Sequence, residues 1–352
     1  MDLMDSPAYR EDLARVAGLD IDWDLFRDTT VVLSGASGMV GSFLVDVLMT
    51  RNAADGMNCT VHALARDAAG LRTRFARYLG SPNLVLTRAD VTEGVDADKA
   101  DYVIHAASNT HPVAYASDPI GTITANVQGT YAMLDLARRT QARRTAFLST
   151  VEVYGENRGD VERFSESDLG YIDCNTVRAG YPESKRTGEA LCQAFGAQYG
   201  LAVVIPRLPR LFGPTMRFTD TKALSQFLLK ALHGEDIVLK SAGNQFYSYC
   251  HVADAVSAIL RCLACGEPGQ AYNVADPSCD VRLKDLAGLV AATAGTRVVF
   301  ELPGELEQRG FSTATLAVMD GSRLAGLGWR PLYDIAQGVE RTIRVLREIA
   351  SC

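Results

Sequence analysis

The sequence predicts an α/β fold in which a doubly wound parallel sheet is followed by a smaller C-terminal α/β lobe. Three observations carry that prediction. Apolar, β-branched runs alternate with segments of helical period through the first two thirds of the chain. A glycine-rich turn joins the first such strand to the first apolar helix, and the alternation turns irregular beyond Gly213-Pro214. At 352 residues with 47% hydrophobic content, the chain has material for a large core.

The elements follow in order. Residues 1–28 read as a short helical leader. TTVVLSG is a buried strand running into GASGMVG and the helix GSFLVDVLMTR. CTVHALAR, NLVLTRADV, DYVIHAAS and RRTAFLST supply four more strands, and LAVVIPR a sixth, separated by helical stretches such as GTITANVQGTYAMLDLARR. This alternation requires right-handed crossovers and a parallel sheet over 29–212. Residues 213–352 hold the helix ALSQFLLKALHG, the short strands IVLK, QAYNVA and RVVFEL, and helices at LKDLAGLVAATAG and IAQGVERTIRVLREIA. They read mainly as the second lobe, with some segments returning to the first core.

Composition excludes several roles. A formal charge of -7 offers no cationic track for nucleic acid. Eight scattered cysteines in a chain of this size need no disulfide scaffold and fit a reducing cytoplasm. Cys262 and Cys265 form a CxxC inside the helical run AVSAILRCLACG with no second pair, so they read as packing and no metal site is expected. The start, MDLMDSPAYREDLARVAGLD, lacks a signal-peptide core, and no run is long enough to span a bilayer.

Gly35, Gly38 and Gly41 are spaced GxxGxxG between strand and helix. That spacing lets backbone approach a pyrophosphate and aims a helix N-terminus at it, as a Rossmann-type dinucleotide fold does. Asp90-Val91 closes the third strand, where Asp90 either meets the adenine or caps a turn. On the second strand, where NAD calls for an acid, stand Ala65 and Arg66. Arg66 leans the reading of NAD(P) towards NADP, while Asp67 keeps NAD open.

Tyr181 and Lys185 lie four apart in AGYPESKRTGEALCQAF, one turn apart on one helix face. An ammonium there favours a phenolate, which can take a hydroxyl proton while the adjoining carbon loses hydride. Thr150, where STVEVYG closes the fifth strand at the sheet's C-terminal edge, can hydrogen-bond the reacting oxygen.

GASGMVG, HAAS, NxxGT from Asn126 to Thr130, STVEVYG, YPESK and RLPRLFGP together resemble the extended short-chain dehydrogenase/reductase superfamily. The similarity is to its nucleotide-sugar epimerases, 4,6-dehydratases and UDP-glucuronate decarboxylases, over about residues 30 to 345. The resemblance implies a Thr150, Tyr181, Lys185 triad, a tightly held NAD(P) and a homodimer. It places the cofactor against Gly35, Ser37, Gly38, Met39, Val40, Gly41, Arg66, Asp90, Val91, Ala106, Ala107, Ser108 and Asn126, beside Tyr181 and Lys185. It also makes 213–352 mainly a substrate-binding lobe, with Tyr154 of STVEVYG among the substrate contacts.

Departures from the family pattern narrow the reaction. In the similar dehydratases and decarboxylases Glu152 is associated with proton removal at C5 once C4 is a ketone. The preceding acid or Ser is here Val151, which removes the group that protonates a departing 6-hydroxyl. Arg210 stands where Asn is usual and Tyr247 where Arg is usual; Arg210 can bind the substrate's anion while Tyr247 donates a hydroxyl. His111 sits where a loop enters the sugar pocket, as a donor, a proton carrier or a plain loop residue. The expectation is an epimerase acting on a nucleotide-sugar through a transient 4-keto intermediate, with the cofactor recycled. A dehydratase or decarboxylase using Glu152 is the first alternative, and an NADPH-dependent keto-sugar reductase the second.

Overall fold

A computed structural model describes residues 2–110, 117–301 and 315–350. Its main sheet has the strand order Ala271–Asn273, Val203–Leu208, Arg144–Phe147, Tyr102–His105, Thr30–Ser34, Thr60–Ala65, Leu84–Arg88, with Ser149–Thr150 also on Val203–Leu208. Every one of these pairings is parallel. Thr30–Ser34 is flanked by Thr60–Ala65 on one side and Tyr102–His105 on the other, so the strand order reverses there. A crevice outside the carboxyl ends of strands at such a reversal is where open α/β sheets bind ligands.

The central strands are apolar because both faces are covered. Val31, Val32 and Leu33 are all fully buried, packed under the helices Met39–Asp55 and Pro119–Arg139 on opposite faces of the sheet. Pro119–Arg139 starts on Asp118, whose carboxylate accepts from the Gly121 amide, with Pro119 at its first position. It lies against Gly180–Tyr199, the helix bearing Tyr181 and Lys185.

Ala271–Asn273 pairs with Ile205–Arg207 as an edge strand of the main sheet rather than joining the second lobe. Val252–Cys265 returns the chain to that edge: eleven of its residues are buried, so it packs beneath the large sheet as a core helix. The CxxC pair ends this helix, with Cys262 buried and Cys265 exposed. No cluster able to hold a metal exists among the described residues.

The second lobe is built on Phe246–His251, which pairs antiparallel with Asp280–Arg282 and parallel with Leu316–Ala317 and Arg210–Phe212. Ile237–Leu239 and Val298–Phe300 form a separate parallel pair. Within the leader, the helix Pro7–Ala17 is fixed at both ends of the molecule's architecture. Tyr9 donates to fully buried Asp46 at 2.5 Å, and Arg74 pairs with the same carboxylate. On its other side Asp12 accepts from Tyr333 and from Arg341, and Ser6 donates to Glu348, binding the leader to the helix Ile335–Ala350.

Candidate active site

The glycine turn is closed to any side chain. Gly35 has φ +71°, and a Cβ there would lie 2.7 Å from the Ala106 carbonyl; one on Gly41 would lie 2.4 Å from the Gly35 oxygen. The turn therefore packs backbone on backbone, and the helix Met39–Asp55 begins at Gly38 with no side-chain cap. Its first-turn amides and its dipole are left for an anion, which is the fit a cofactor pyrophosphate requires. Met39, Val40 and Ser37 belong to the same turn. Arg217, from the segment after Gly213, brings a guanidinium nitrogen to 3.5 Å from Ser37 Oγ.

Across the crevice, Ala106 and Ala107 follow Tyr102–His105 and hang from the first strand: the Ala106 amide donates to the Ser34 carbonyl and the Ala107 amide to Ser34 Oγ. Ser34 Oγ also pairs with His105 Nδ1 at 2.8 Å. Burial, with the Lys185 charge adding to it, pulls His105 down to about 3, so this imidazole is neutral. Val91 is buried. Asp90 accepts from the Thr92 amide at 3.0 Å and its hydroxyl at 2.8 Å, and those bonds hold its carboxyl low. It caps a turn at the strand's end. Arg66 is exposed and reaches Asn109 Oδ1 at 3.5 Å, while Asp67 caps the helix Ala68–Arg74 by accepting from the Gly70 amide.

The helix Gly180–Tyr199, which bears Tyr181 and Lys185, packs on the strand Ser149–Thr150. Lys185 Nζ donates to the Leu148 carbonyl at 2.8 Å and lies 4.8 Å from the centre of the Phe147 ring. Burial pulls this ammonium down to about 8, against the opposing carboxylate of Glu189. Gly188, one turn on, lets Phe147 approach; a Cβ there would meet its ring at 2.4 Å. Thr150 is 8% and Tyr181 6% exposed, so both sit at the edge of the packed interior. Asn126 joins the segment after Tyr102–His105 to the helix Gly180–Tyr199: it accepts from Ser108 Oγ at 2.7 Å and donates to Ser184 Oγ at 2.9 Å. Ser184 in turn donates to the Tyr181 carbonyl.

Glu152 follows Thr150 in the 3-10 turn Val151–Tyr154, where its amide donates to Thr150 Oγ1. Its carboxylate is paired with Arg178 at 2.6 Å. In the second lobe, the Arg210 guanidinium stacks 3.4 Å over the Tyr247 ring, and its Nη1 is buried without a hydrogen-bond partner among the described residues. Such a nitrogen needs an acceptor. Tyr154, expected at the substrate, is instead a core residue. It is 0% exposed, stacked on Phe164 at 4.7 Å, with its hydroxyl donating to Asn273 and accepting from Arg207. Burial pushes that phenol up to about 12. His111 lies outside the described residues.

Three contributors escaped the sequence reading. Arg178 was signalled only by standing three residues before Tyr181. Glu189, one helical turn past Lys185, accepts from Ser149 Oγ and takes a two-point contact from Arg207. Arg207 lies in the strand neighbouring Ser149–Thr150, so this half-buried pair ties that strand to the helix bearing Tyr181 and Lys185.

A Rossmann-type parallel sheet with an uncapped glycine turn at its switch point defines a dinucleotide-binding fold. Residues 31–275 match the NAD dependent epimerase/dehydratase family, and the chain belongs to that family. It is 30% identical to UDP-glucuronic acid decarboxylase 6 of Arabidopsis thaliana over 88% of this chain and 86% of that protein. With UDP-glucuronic acid decarboxylase 1 of Xenopus tropicalis it shares 30% over 90% and 72%. Among solved structures, the dTDP-glucose 4,6-dehydratase DesIV of Streptomyces venezuelae, holding NAD, superposes with a TM-score of 0.76 at 25% identity, over 92% and 98% of the chains. The UDP-glucose 4-epimerase of Thermotoga maritima shares the fold, with a TM-score of 0.77 at 19% identity over 91% and 99%.

Proposed function

We propose that the chain acts on a nucleotide-sugar by transient oxidation at C4, and that its net reaction is decarboxylation of a nucleotide hexuronate. The observation that carries this choice is the 30% identity to UDP-glucuronic acid decarboxylases across most of both chains. Retention of Glu152 beside Thr150 supports it. Epimerisation, the first expectation from Val151, ranks second, because the epimerase likeness at 19% identity carries the fold alone.

The glycine turn would hold NAD(P), which would supply the acceptor for the C4 hydride and later the donor. Tyr181 takes the C4 hydroxyl proton, with Lys185 favouring the phenolate and Thr150 donating to the C4 oxygen. The resulting β-keto acid loses its carboxylate as carbon dioxide: the C5–C6 bond breaks and its electron pair enters the enolate over C5, C4 and the oxygen. Glu152 handles the proton that C5 then takes up. Return of hydride to C4 and of the Tyr181 proton to its oxygen completes the cycle. Arg210 supplies the cation for the nucleotide diphosphate, with Tyr247 beneath it.

Incubation with UDP-glucuronate in deuterated water tests the reading. Release of carbon dioxide with deuterium at C5 of a pentose product is expected. An unlabelled hexuronate inverted at C4 would replace decarboxylation by epimerisation, and stoichiometric consumption of added NADPH by a keto-sugar would replace both by net reduction.

Two further readings accompany it. Exposed Arg66, with Asp67 committed to a helix cap, favours NADP over NAD; the cofactor that co-purifies decides. A homodimer in the cytoplasm is supported by Ile120, Ile123 and Tyr131, 77%, 41% and 56% exposed along one face of Pro119–Arg139, and by the free cysteines.

A further inference from the structure

Glu152 alone is poorly placed for proton chemistry at a fixed carbon. It sits on a single 3-10 turn, with its side chain 28% exposed, and nothing in Val151 or Val153 can hold a carboxylate. Its orientation comes from another segment. Arg178 belongs to the turn Val177–Ala179, which runs directly into Gly180–Tyr199, and its Nη2 donates to Glu152 Oε2 at 2.6 Å. The other oxygen, Oε1, makes no hydrogen bond to the described residues.

We propose that Arg178 is the positioning residue of the Glu152 carboxylate, locking one oxygen to the helix that carries Tyr181 and leaving the other for the substrate's C5. The inference rests on the reading that Glu152 acts at C5. Three facts converge on it. Arg178 stands three residues before Tyr181, so the group that serves the C4 hydroxyl and the clamp on the group that serves C5 move as one body. The guanidinium is planar with a fixed fork of donors, so a contact through one nitrogen constrains direction as well as distance. Thr150 Oγ1 accepts from the Glu152 amide, fixing the backbone end of the same side chain. Glu152 is thus held from both ends, and misplacement by about 1 Å costs on the order of 10²-fold in rate.

The test uses holoenzyme and UDP-xylose in deuterated water. It follows two signals: deuterium entering C5, by NMR, and reduced nicotinamide on the enzyme, by its near-ultraviolet absorbance. Arg178→Gln is expected to slow exchange by about 10²-fold while the reduced cofactor still forms, which also shows that the fold and cofactor site persist. Arg178→Lys, which keeps a cation, is expected to recover part of the loss. Parent-like exchange in Arg178→Gln overturns the inference, as does equal loss of both signals, which would make Arg178 a residue for binding or oxidation. A Lys variant as slow as the Gln variant overturns the ion pair as the cause. Full exchange in Glu152→Gln removes the underlying reading and the inference together, whereas its loss beside an unaffected Arg178→Gln removes the inference only.

Discussion

At the residue scale, the proposed chemistry depends on one phenol oxygen. Tyr181→Phe is expected to lower turnover by about 10²–10⁴-fold while the purified protein retains its cofactor, because the glycine turn is untouched; steady-state rates and the bound-cofactor spectrum check both. Tyr181 and Lys185 were legible because a helix forces residues four apart onto one face, whatever surrounds them. Arg178 and Glu189 were not, because their partners Glu152 and Arg207 lie 26 and 18 positions away and only the folded chain brings them together. Tyr154 misled for the opposite reason: a tyrosine beside catalytic residues satisfies a family motif equally well as a ligand contact or as a core side chain. Its stacking on Phe164 decides for the core.

At the scale of elements, the helix Gly180–Tyr199 is set by how closely it lies on the strand below. Gly188→Ala would push a methyl into the Phe147 ring, so overpacking of about 1–3 kcal/mol is expected in urea denaturation, with turnover falling because Phe147 also flanks Lys185. A buried carboxylate on Val252–Cys265 gives a pH signature. Burial raises Asp254 from 3.8 to about 7, against the Leu332 amide that donates to it. Between those values the folded chain holds a proton that the unfolded chain has released, so stability falls as pH rises through that window and levels off above it. Asp254→Asn is therefore expected to lose less melting temperature than the parent between pH 5 and pH 8. Strands and helices of the large sheet were legible because both-face burial leaves unbroken apolar runs. The place of Ala271–Asn273 was not, since three residues carry no period that distinguishes one sheet from another.

At the scale of the whole molecule, the leader joins parts that share no sheet. Arg74→Ala would leave Asp46 buried against Tyr9 without its cation, a loss of about 3–5 kcal/mol, expected as a marked drop in denaturation midpoint. Disruption of this contact is expected to free the leader's helix from the layer over the large sheet and to weaken its hold on Ile335–Ala350. Proteolysis at the leader, mapped by mass spectrometry, would report that release.

The leader also imposes an order in time. Asp12 and Arg341 are 329 positions apart, yet each satisfies the other's charge. During synthesis, Tyr9 can settle on Asp46 once Met39–Asp55 has left the ribosome, but Asp12 must wait until Tyr333 and Arg341 have been made. Until then the nascent protein carries a half-docked helix with an acidic, unfinished side. The leader's second side is a clasp that shuts only when Ile335–Ala350 arrives.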